Sequence, residues 1–275
     1  MDFKKTLFSA ILLALSAAPL RAEEKPEYLS HPYSALEASV VPDTAPVIKG
    51  WYKEYLEYEI YWGFMNVGSA YLQIDKTVTI DGRPAYHIVS GAKSSAFIRT
   101  FYTVSDVNES WLDLAGLYSR GYYKKIQEGG YFTNEWVIFD NDAKTFRGEK
   151  MNKKRVISPV NGVLPGPVND VLSALYLVRT MDLKPEGSQA ITVNTKRNWD
   201  MAVKFRKREK ESTAYGKFKC ILVEPQLGDD GLFVAKQGKK MLVWITDDEL
   251  HLPLILKAEI FIGSVTAKLV KRRVE

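Results

Sequence analysis

Hydrophobic and polar positions alternate with a period of two along most of the chain beyond residue 54. In the first such run, 55–62, Leu56, Tyr58, Ile60 and Trp62 share one parity, and two glutamates alternate with them. Successive side chains of a β-strand point to opposite faces of its sheet. The run is therefore predicted to be a half-buried strand.

Shorter runs with the same alternation follow, separated by turn residues. The dipeptide Asp81-Gly82, between two apolar segments, is typical of a tight hairpin turn. Gly263 similarly joins the last two predicted strands. Further strands are predicted near 70–74, 78–80, 85–89, 104–112, 117–126, 131–140, 144–150, 189–196, 201–208, 216–224, 241–246, 253–262 and 264–270.

One segment has a helical period instead. Val171, Ala174, Leu175 and Val178 recur at helical spacing, and the residues at 184–187 (KPEG) end the pattern. We predict one principal helix near 168–180, with a second short helical turn over 94–101.

About a dozen short strands and one principal helix define the expected fold class. We predict a mainly β protein: a strongly curved antiparallel sheet, or open half-barrel, with the helix packed against it. Residues 51–275 would form this single domain. Four prolines fall within residues 23–50, which we interpret as an extended lead-in or linker.

The first 22 residues carry the pattern of a secretory signal peptide. Lys4 and Lys5 precede a small-apolar run over 7–20, and Ala22 offers a small residue for cleavage. An uncleaved anchor or a buried helix is the alternative. The only cysteine, Cys220, lies in an apolar run, so neither an intramolecular disulfide nor a lipid anchor directly after the signal segment is expected. We predict a periplasmic or secreted protein that is not lipid-anchored.

Charge adds little to this picture. The chain has 38 Lys and Arg against 33 Asp and Glu, a net charge of +5 that does not predict a nucleic-acid partner. His31, His87 and His251 are far apart in sequence, so no metal site is expected. There is no G-x-S-x-G nucleophile motif. We therefore expect no cofactor and no enzymatic activity.

Acidic residues offer the one catalytic alternative. Asp229 and Asp230 precede a glycine, while Asp247 and Glu249 follow a predicted strand. A glycosidase needs two carboxyl groups facing each other across a sugar, whereas acids in such places ordinarily form turns. A carboxylate-dependent glycan hydrolase is accordingly the least favoured hypothesis.

A basic strand suggests a surface for anions. Lys204, Arg206 and Arg208 share one parity of the predicted strand at 201–208. Such a face suits anionic lipid head groups or an anionic membrane surface. The alternative is a solvated face whose basic residues discourage edge-to-edge pairing of sheets.

Aromatic residues are the remaining candidates for ligand binding. They crowd the first strand and recur in the middle strands, and we select Tyr58, Trp62, Trp111 and Trp136. Aromatic side chains ordinarily fill sheet interfaces. A concave sheet with aromatics on both parities would also suit an apolar cavity, so both interpretations remain open.

Three segments together resemble an exported bacterial family known as domain of unknown function 3108. They are YEIYWGFMNVGSA at 58–70, the helix segment NDVLSALYLVR at 169–179, and the closing residues that start with VWITDD at 243–248, continue with LP at 252–253 and end with IGSV at 262–265. The resemblance runs from about residue 54 to 270 and implies no established activity and no catalytic residues. The closing run more distantly resembles periplasmic lipoprotein-sorting carriers, which implies a half-barrel holding an acyl chain beneath helices.

These observations lead to one favoured function and one main alternative. The favoured hypothesis is a monomeric, non-enzymatic protein that binds an apolar or amphipathic envelope ligand, such as a lipid acyl chain or a lipoprotein. The alternative is a structural or interaction module of the envelope that contacts protein or polysaccharide.

Overall fold

The structure is a computed structural model that describes residues 27–40, 48, 50–226, 240–260 and 262–275. The predicted signal segment and the pair Asp229-Asp230 lie outside these residues. Fourteen strands and two short helices make up the described chain. They are β1 (Glu54–Trp62), β2 (Met65–Ile80), β3 (Arg83–Ser94), α1 (Ala96–Arg99), β4 (Ser105–Asp113), β5 (Ser119–Glu128), β6 (Tyr131–Asp140), β7 (Thr145–Asn152), β8 (Ile157–Val163), α2 (Val171–Val178), β9 (Ser188–Asn194), β10 (Asn198–Thr213), β11 (Gly216–Pro225), β12 (Met241–Thr246), β13 (Pro253–Glu259) and β14 (Ser264–Val274).

All fourteen strands form one antiparallel sheet. Its order is β8-β7-β6-β5-β4-β3-β2-β1-β14-β13-β12-β11-β10-β9, so that the first and last strands of the chain pair in the middle. In the described part of the chain, β8 and β9 remain as edges and the sheet does not close into a barrel. The predicted class, a mainly β open antiparallel sheet with one principal helix, is confirmed.

The sheet curves around α2. Side chains of β4 and β5 and side chains of β10 and β11 line the same cavity beneath this helix, although many strands separate them in the sheet. Only a curved sheet can bring such distant strands to one helix. We call the face toward α2 the inner face and the opposite one the outer face. Neither helix of the described chain has the length and apolar content of a membrane span.

Buried polar contacts hold α2 at both ends. Its N-cap residue, Asp170, accepts hydrogen bonds from the hydroxyl groups of Ser110 on β4 at 2.5 Å and Ser119 on β5 at 2.6 Å. At the other end, Arg179 forms an ion pair with Glu54 of β1, with Nη1 2.7 Å from Oε2. The helix is therefore attached to two separate parts of the sheet and spans the space between them.

The segment predicted as a lead-in or linker packs on the sheet where the structure describes it. The buried Leu29 donates its backbone N–H to Asn134 on β6 at 2.6 Å. The ring of His31 stacks on Tyr123 with centroids 4.7 Å apart, and Tyr33 meets Trp111 edge-on at 5.0 Å. Residues 27–40 thus cover part of the outer face, where they bury aromatic side chains of β4 to β6.

Two strand predictions differ from the structure. The separate runs at 70–74 and 78–80 belong to one strand, β2, which continues through a register shift between Ile74 and Lys76. Strand β8 is absent from the prediction. Its residues are exposed or half-buried and include Pro159, which is tolerated at the edge of a sheet and hides the alternating pattern.

Candidate functional site

An apolar cavity of about 270 Å³ lies between α2 and the inner face of the sheet. The helix contributes Leu172, Leu175 and Val178 to its wall, and the sheet contributes side chains from both halves, among them Ile60 and Val243. An apolar cavity of about 150 Å³ is enough to bind benzene. The space under α2 therefore has the size and lining to hold part of an aliphatic chain.

Alanines on neighbouring strands leave this space. Ala70 of β2 lies opposite Ala92 of β3, and Ala267 of β14 lies opposite Leu256 of β13. All four residues line the cavity, as does Ala258. Protein interiors are otherwise packed to the density of organic crystals, so neighbouring alanines beneath a fixed helix leave a gap that side chains do not fill.

One corner of the cavity is polar. Asp106 and Asn108 of β4 and Glu128, the last residue of β5, line it together with Ser90. Burial, followed by the neighbouring charge and hydrogen bond of Glu128, raises the pKa of Asp106 to about 7, against a lowering by its hydrogen bond from the Gln127 N–H. Asp106 therefore keeps its proton to a higher pH than a free carboxyl group. The corner offers hydrogen-bonding groups to a polar part of a ligand.

The raised pKa of Asp106 predicts a pH-dependent stability. An acid with a pKa near 4 when unfolded and about 7 when folded binds its proton more tightly in the native state, so the free energy of unfolding falls as pH rises through that window. Asp106→Asn retains an acceptor for Gln127 and removes the penalised charge. After allowance for solvent screening, we expect it to gain about 1–2 kcal/mol over wild type at pH 8.

Urea unfolding of wild type and Asp106→Asn at pH 5 and pH 8 measures this effect, and the gain should shrink at the lower pH. Asp142→Asn, in the exposed β6–β7 turn, is the matched control and should show no such pH-dependent gain. Equal gains at both pH values would contradict the assignment of a raised pKa to Asp106.

The four aromatic candidates occupy three different places. Tyr58 is buried on the inner face and lines the cavity. Trp62 lies at the end of β1, opposite Val265 of the cavity wall, with 44% of its surface exposed and its indole N–H donating to the Ile262 carbonyl at 3.0 Å. Trp111 and Trp136 pack on the outer face with Leu29, away from the cavity.

The three basic candidates do not share a face. A register shift in β10 places Phe205 opposite Val223 but Arg208 opposite Ile221, so the parity of the strand changes between them. Lys204 and Arg206 lie on the outer face, and Arg208 lies on the inner one. Arg206 pairs with Glu224 at 2.7 Å and Arg208 with Asp247 at 2.8 Å. A single cationic face on this strand is therefore wrong, because a bulge in the strand reverses the alternation.

The other titratable candidates have structural contacts. His87 lies between Glu109 at 2.8 Å and Asp75 at 3.4 Å, and the Nδ1 of His251 contacts the Arg179 carbonyl at 2.8 Å. Asp248 caps the β12–β13 turn by accepting from the backbone N–H of residues 250 and 251. Within the described ranges, no group of three His, Cys, Asp or Glu side chains is placed to hold a metal ion.

Sequence reasoning missed the residues that shape the cavity. Asp106, Asn108 and Glu128 are ordinary strand and turn residues until the sheet places them beneath α2. The alanines at 70, 92 and 267 are the signal in the sequence, since each falls at an inward position of its strand. These alanines can be recognised as neighbours only when the pairing of β14 with β1 is known, and local sequence patterns do not reveal that pairing.

Fold and cavity together define a class: an open antiparallel β-sheet curved around one helix, with an apolar cavity between them. The family model described as "Protein of unknown function (DUF3108)" matches residues 57–270, and the chain belongs to this family. No curated protein matches the chain.

A solved structure shares the fold at low sequence identity, and another is less similar in its geometry. A β-barrel-like protein of domain of unknown function DUF1849 from Brucella abortus has a TM-score of 0.52 at 6% identity, covering 82% of this chain and 98% of its own. A Parabacteroides distasonis protein, provisionally described as a lipoprotein, has a TM-score of 0.35 at 10% identity, covering 81% of this chain and 95% of its own. The Brucella abortus similarity concerns the fold alone, and neither similarity carries an activity to this chain.

Proposed function

We propose that this protein is a non-enzymatic binding protein of the bacterial envelope that holds the apolar chain of an amphipathic ligand under α2. The ligand would be a lipid acyl chain or an acyl chain of a lipoprotein. The apolar cavity between α2 and the sheet is the observation that carries the proposal. In this proposal the protein works as a monomer and needs neither a cofactor nor a nucleic-acid partner.

The chemistry of the lining supports an amphipathic ligand. Each methylene buried in such a cavity contributes about 0.8 kcal/mol, so an aliphatic chain can bind without any charged contact. The ligand's polar end would lie at the corner formed by Asp106, Asn108 and Glu128, where hydrogen-bonding groups meet the ends of β4 and β5. This corner is acidic, and it favours a hydroxyl, ester or amine over a phosphate.

The proposed location follows from the N-terminal residues. The basic pair Lys4-Lys5 and the small-apolar run after it have the composition of an export signal, and removal of this segment would release the domain into the periplasm or the medium. Export would bring the cavity to the compartment in which envelope lipids and lipoproteins are available.

Native mass spectrometry tests the proposal directly. The protein, purified gently from the cells that express and process it, should carry a stoichiometric added mass that denaturation releases as lipid. A bare protein mass, unchanged after incubation with extracted envelope lipids, would contradict ligand binding. It would favour an envelope module that contacts protein or polysaccharide.

Filling the cavity should remove the ligand. Ala267→Phe adds a large side chain at a lining position of β14, and Ala190→Phe makes the same change at an exposed position of β9 that does not line the cavity. Loss of space for two or more methylenes weakens binding at least tenfold. Lipid bound per protein should fall for Ala267→Phe alone, with its thermal unfolding temperature unchanged or higher. Equal lipid content in the two variants would place the ligand elsewhere.

A further inference from the structure

One end of the sheet carries a continuous series of exposed apolar side chains. Four consecutive connections contribute to it: β13–β14, β1–β2, the α1 connection between β3 and β4, and β5–β6. We call this set the apolar rim. Its members are Ile260, Ile262, Trp62, Phe64, Met65, Phe97, Phe101, Tyr102 and Tyr131, all exposed by more than a third of their surface.

The most prominent members of the rim are phenylalanines that support little of the fold. Phe64 is 99% exposed, Phe97 67% and Phe101 77%. Phe97 and Phe101 contact each other edge-on, 5.5 Å apart, rather than the core. Monomeric proteins rarely expose large apolar side chains in such a group unless the group contacts another surface.

Several connections at the opposite end of the same strands are polar. Asp81-Gly82 joins β2 to β3, residues 141–144 (NDAK) join β6 to β7, and Asp247-Asp248-Glu249 follows β12. Exposed apolar side chains also occur away from the rim, at Tyr52, Val163 and Val274, but the three exposed phenylalanines of the described chain all lie at the rim end. A general excess of exposed hydrophobic residues therefore does not explain this group.

The cavity reaches the same end. Several of its lining residues lie at or within two residues of the strand ends that form this edge: Ile60, Glu128, Pro225, Met241, Ala258 and Val265. An apolar chain that moves between the cavity and a surface in contact with the rim would therefore travel a short distance and have little exposure to water.

Basic side chains flank the rim. Lys93 is exposed near the end of β3, and Arg99 is exposed on α1. Lys153 of the β7–β8 turn lies beside Gly130 of the β5–β6 turn. Among nearby acids, Asp106 and Glu128 face the cavity. The apolar rim, bordered by Lys and Arg side chains, is complementary to a bilayer that contains anionic lipids.

We infer that the apolar rim docks on the surface of a lipid bilayer, with its aromatic and aliphatic side chains entering the head-group region and the flanking cations contacting anionic lipids. The shape of the rim favours a bilayer over a protein partner. Its side chains project from four separate connections, which suits a fluid surface better than the close packing of a protein interface. This inference goes beyond ligand binding, because it concerns where the cavity opens.

Vesicle sedimentation with three proteins tests it. The wild type, as isolated from the expressing cell, is compared with the rim variant Phe64→Ser/Phe97→Ser/Phe101→Ser. The control variant, Tyr52→Ser/Val163→Ser/Val274→Ser, removes three exposed apolar side chains that lie outside the rim. Each protein is mixed with vesicles of phosphatidylethanolamine and phosphatidylglycerol, and separately with vesicles of phosphatidylcholine alone.

Wild type and control should bind the anionic vesicles equally, and the rim variant at least tenfold more weakly. Binding to phosphatidylcholine should be weaker for all three. The inference is overturned if wild type binds neither vesicle, if the rim variant binds like wild type, or if the rim mediates only a concentration-dependent dimer. Native mass spectrometry of the rim variant separates the two proposals: a retained lipid mass with lost vesicle binding shows that the cavity and the rim act independently.

Discussion

Glu54→Gln is expected to lower the free energy of unfolding by about 3–5 kcal/mol, because it leaves a buried arginine without its counter-charge. The carboxylate of Glu54 is fully buried and lies between two guanidinium groups. Arg179 contacts it at 2.7 Å and 3.2 Å, and Arg272 of β14 contacts it at 2.9 Å. Glutamine has nearly the same shape, so the loss would come from charge rather than from packing.

A matched pair nearby provides the control. Glu275 forms a 2.9 Å ion pair with Lys53 in which both side chains are largely exposed. Glu275→Gln removes the same kind of charge in water, where ion pairs contribute little to stability. Urea denaturation of the two variants should therefore give very different midpoints. If Glu54→Gln unfolds at the wild-type urea midpoint, the buried guanidinium of Arg179 does not need the charge of Glu54 for the stability of the fold.

Glu54→Gln should also increase local opening of α2, the helix that covers the cavity. Arg179 follows α2 directly, and its guanidinium lies 5.1 Å from the ring of Trp51 and 4.9 Å from that of Tyr176. Loss of the ion pair would free this end of the helix from β1. Hydrogen exchange of the α2 amides should accelerate relative to amides of β2 and β3, since local opening follows the loss of local contacts.

Local patterns in the sequence were sufficient to predict most of the helices and strands of this fold. The parity of 55–62 identified β1, Asp81-Gly82 identified the β2–β3 hairpin, and the spacing from Val171 to Val178 identified α2. Each depends on neighbours within one strand, turn or helix. Strand β8 was missed because it is an edge strand whose side chains are little buried. Its sequence therefore lacks the alternation of apolar and polar residues that identifies a strand.

Longer-range features could not be derived in this way. Pairing of β1 with β14 joins residues more than two hundred positions apart, and the cavity depends on the alanines that this pairing brings together. The bulge in β10 shows how the rule of strict alternation along a strand fails. One extra residue after Phe205 places Arg208 on the face opposite to that of Lys204. Aromatic composition likewise could not separate Tyr58, inside the cavity, from Trp111 on the outer face, or from Phe64 on the rim.

Asp170→Ala should approach Glu54→Gln in its effect, with an expected loss of about 2–4 kcal/mol from a lost N-cap and from the buried Ser110 hydroxyl left without a partner. The carboxylate is buried. One oxygen accepts from the backbone N–H groups of Leu172 and Ser173 at 2.8 Å and 3.2 Å, and the other accepts from three serine hydroxyl groups.

Asp170→Asn separates these two contributions. An asparagine can still accept from the two backbone N–H groups, but its amide nitrogen would face the hydroxyl groups of Ser110 and Ser119, which donate in the wild type. We therefore expect Asp170→Asn to lower the free energy of unfolding, but by less than Asp170→Ala does. Ser95→Ala removes the N-cap of α1, which has no buried network, and should cost no more than about 1 kcal/mol.

The same variants test whether α2 must be fixed for the cavity to hold a ligand. Asp170 attaches the start of the helix to β4 and β5, the strands that carry the polar corner, while Glu54 attaches its end to β1. If α2 is the cover of the cavity, bound lipid should dissociate faster from Asp170→Asn than from Ser95→Ala at temperatures where both are folded. Equal dissociation rates would mean that the ligand is held by the sheet alone, and that α2 supports the fold without retaining the ligand.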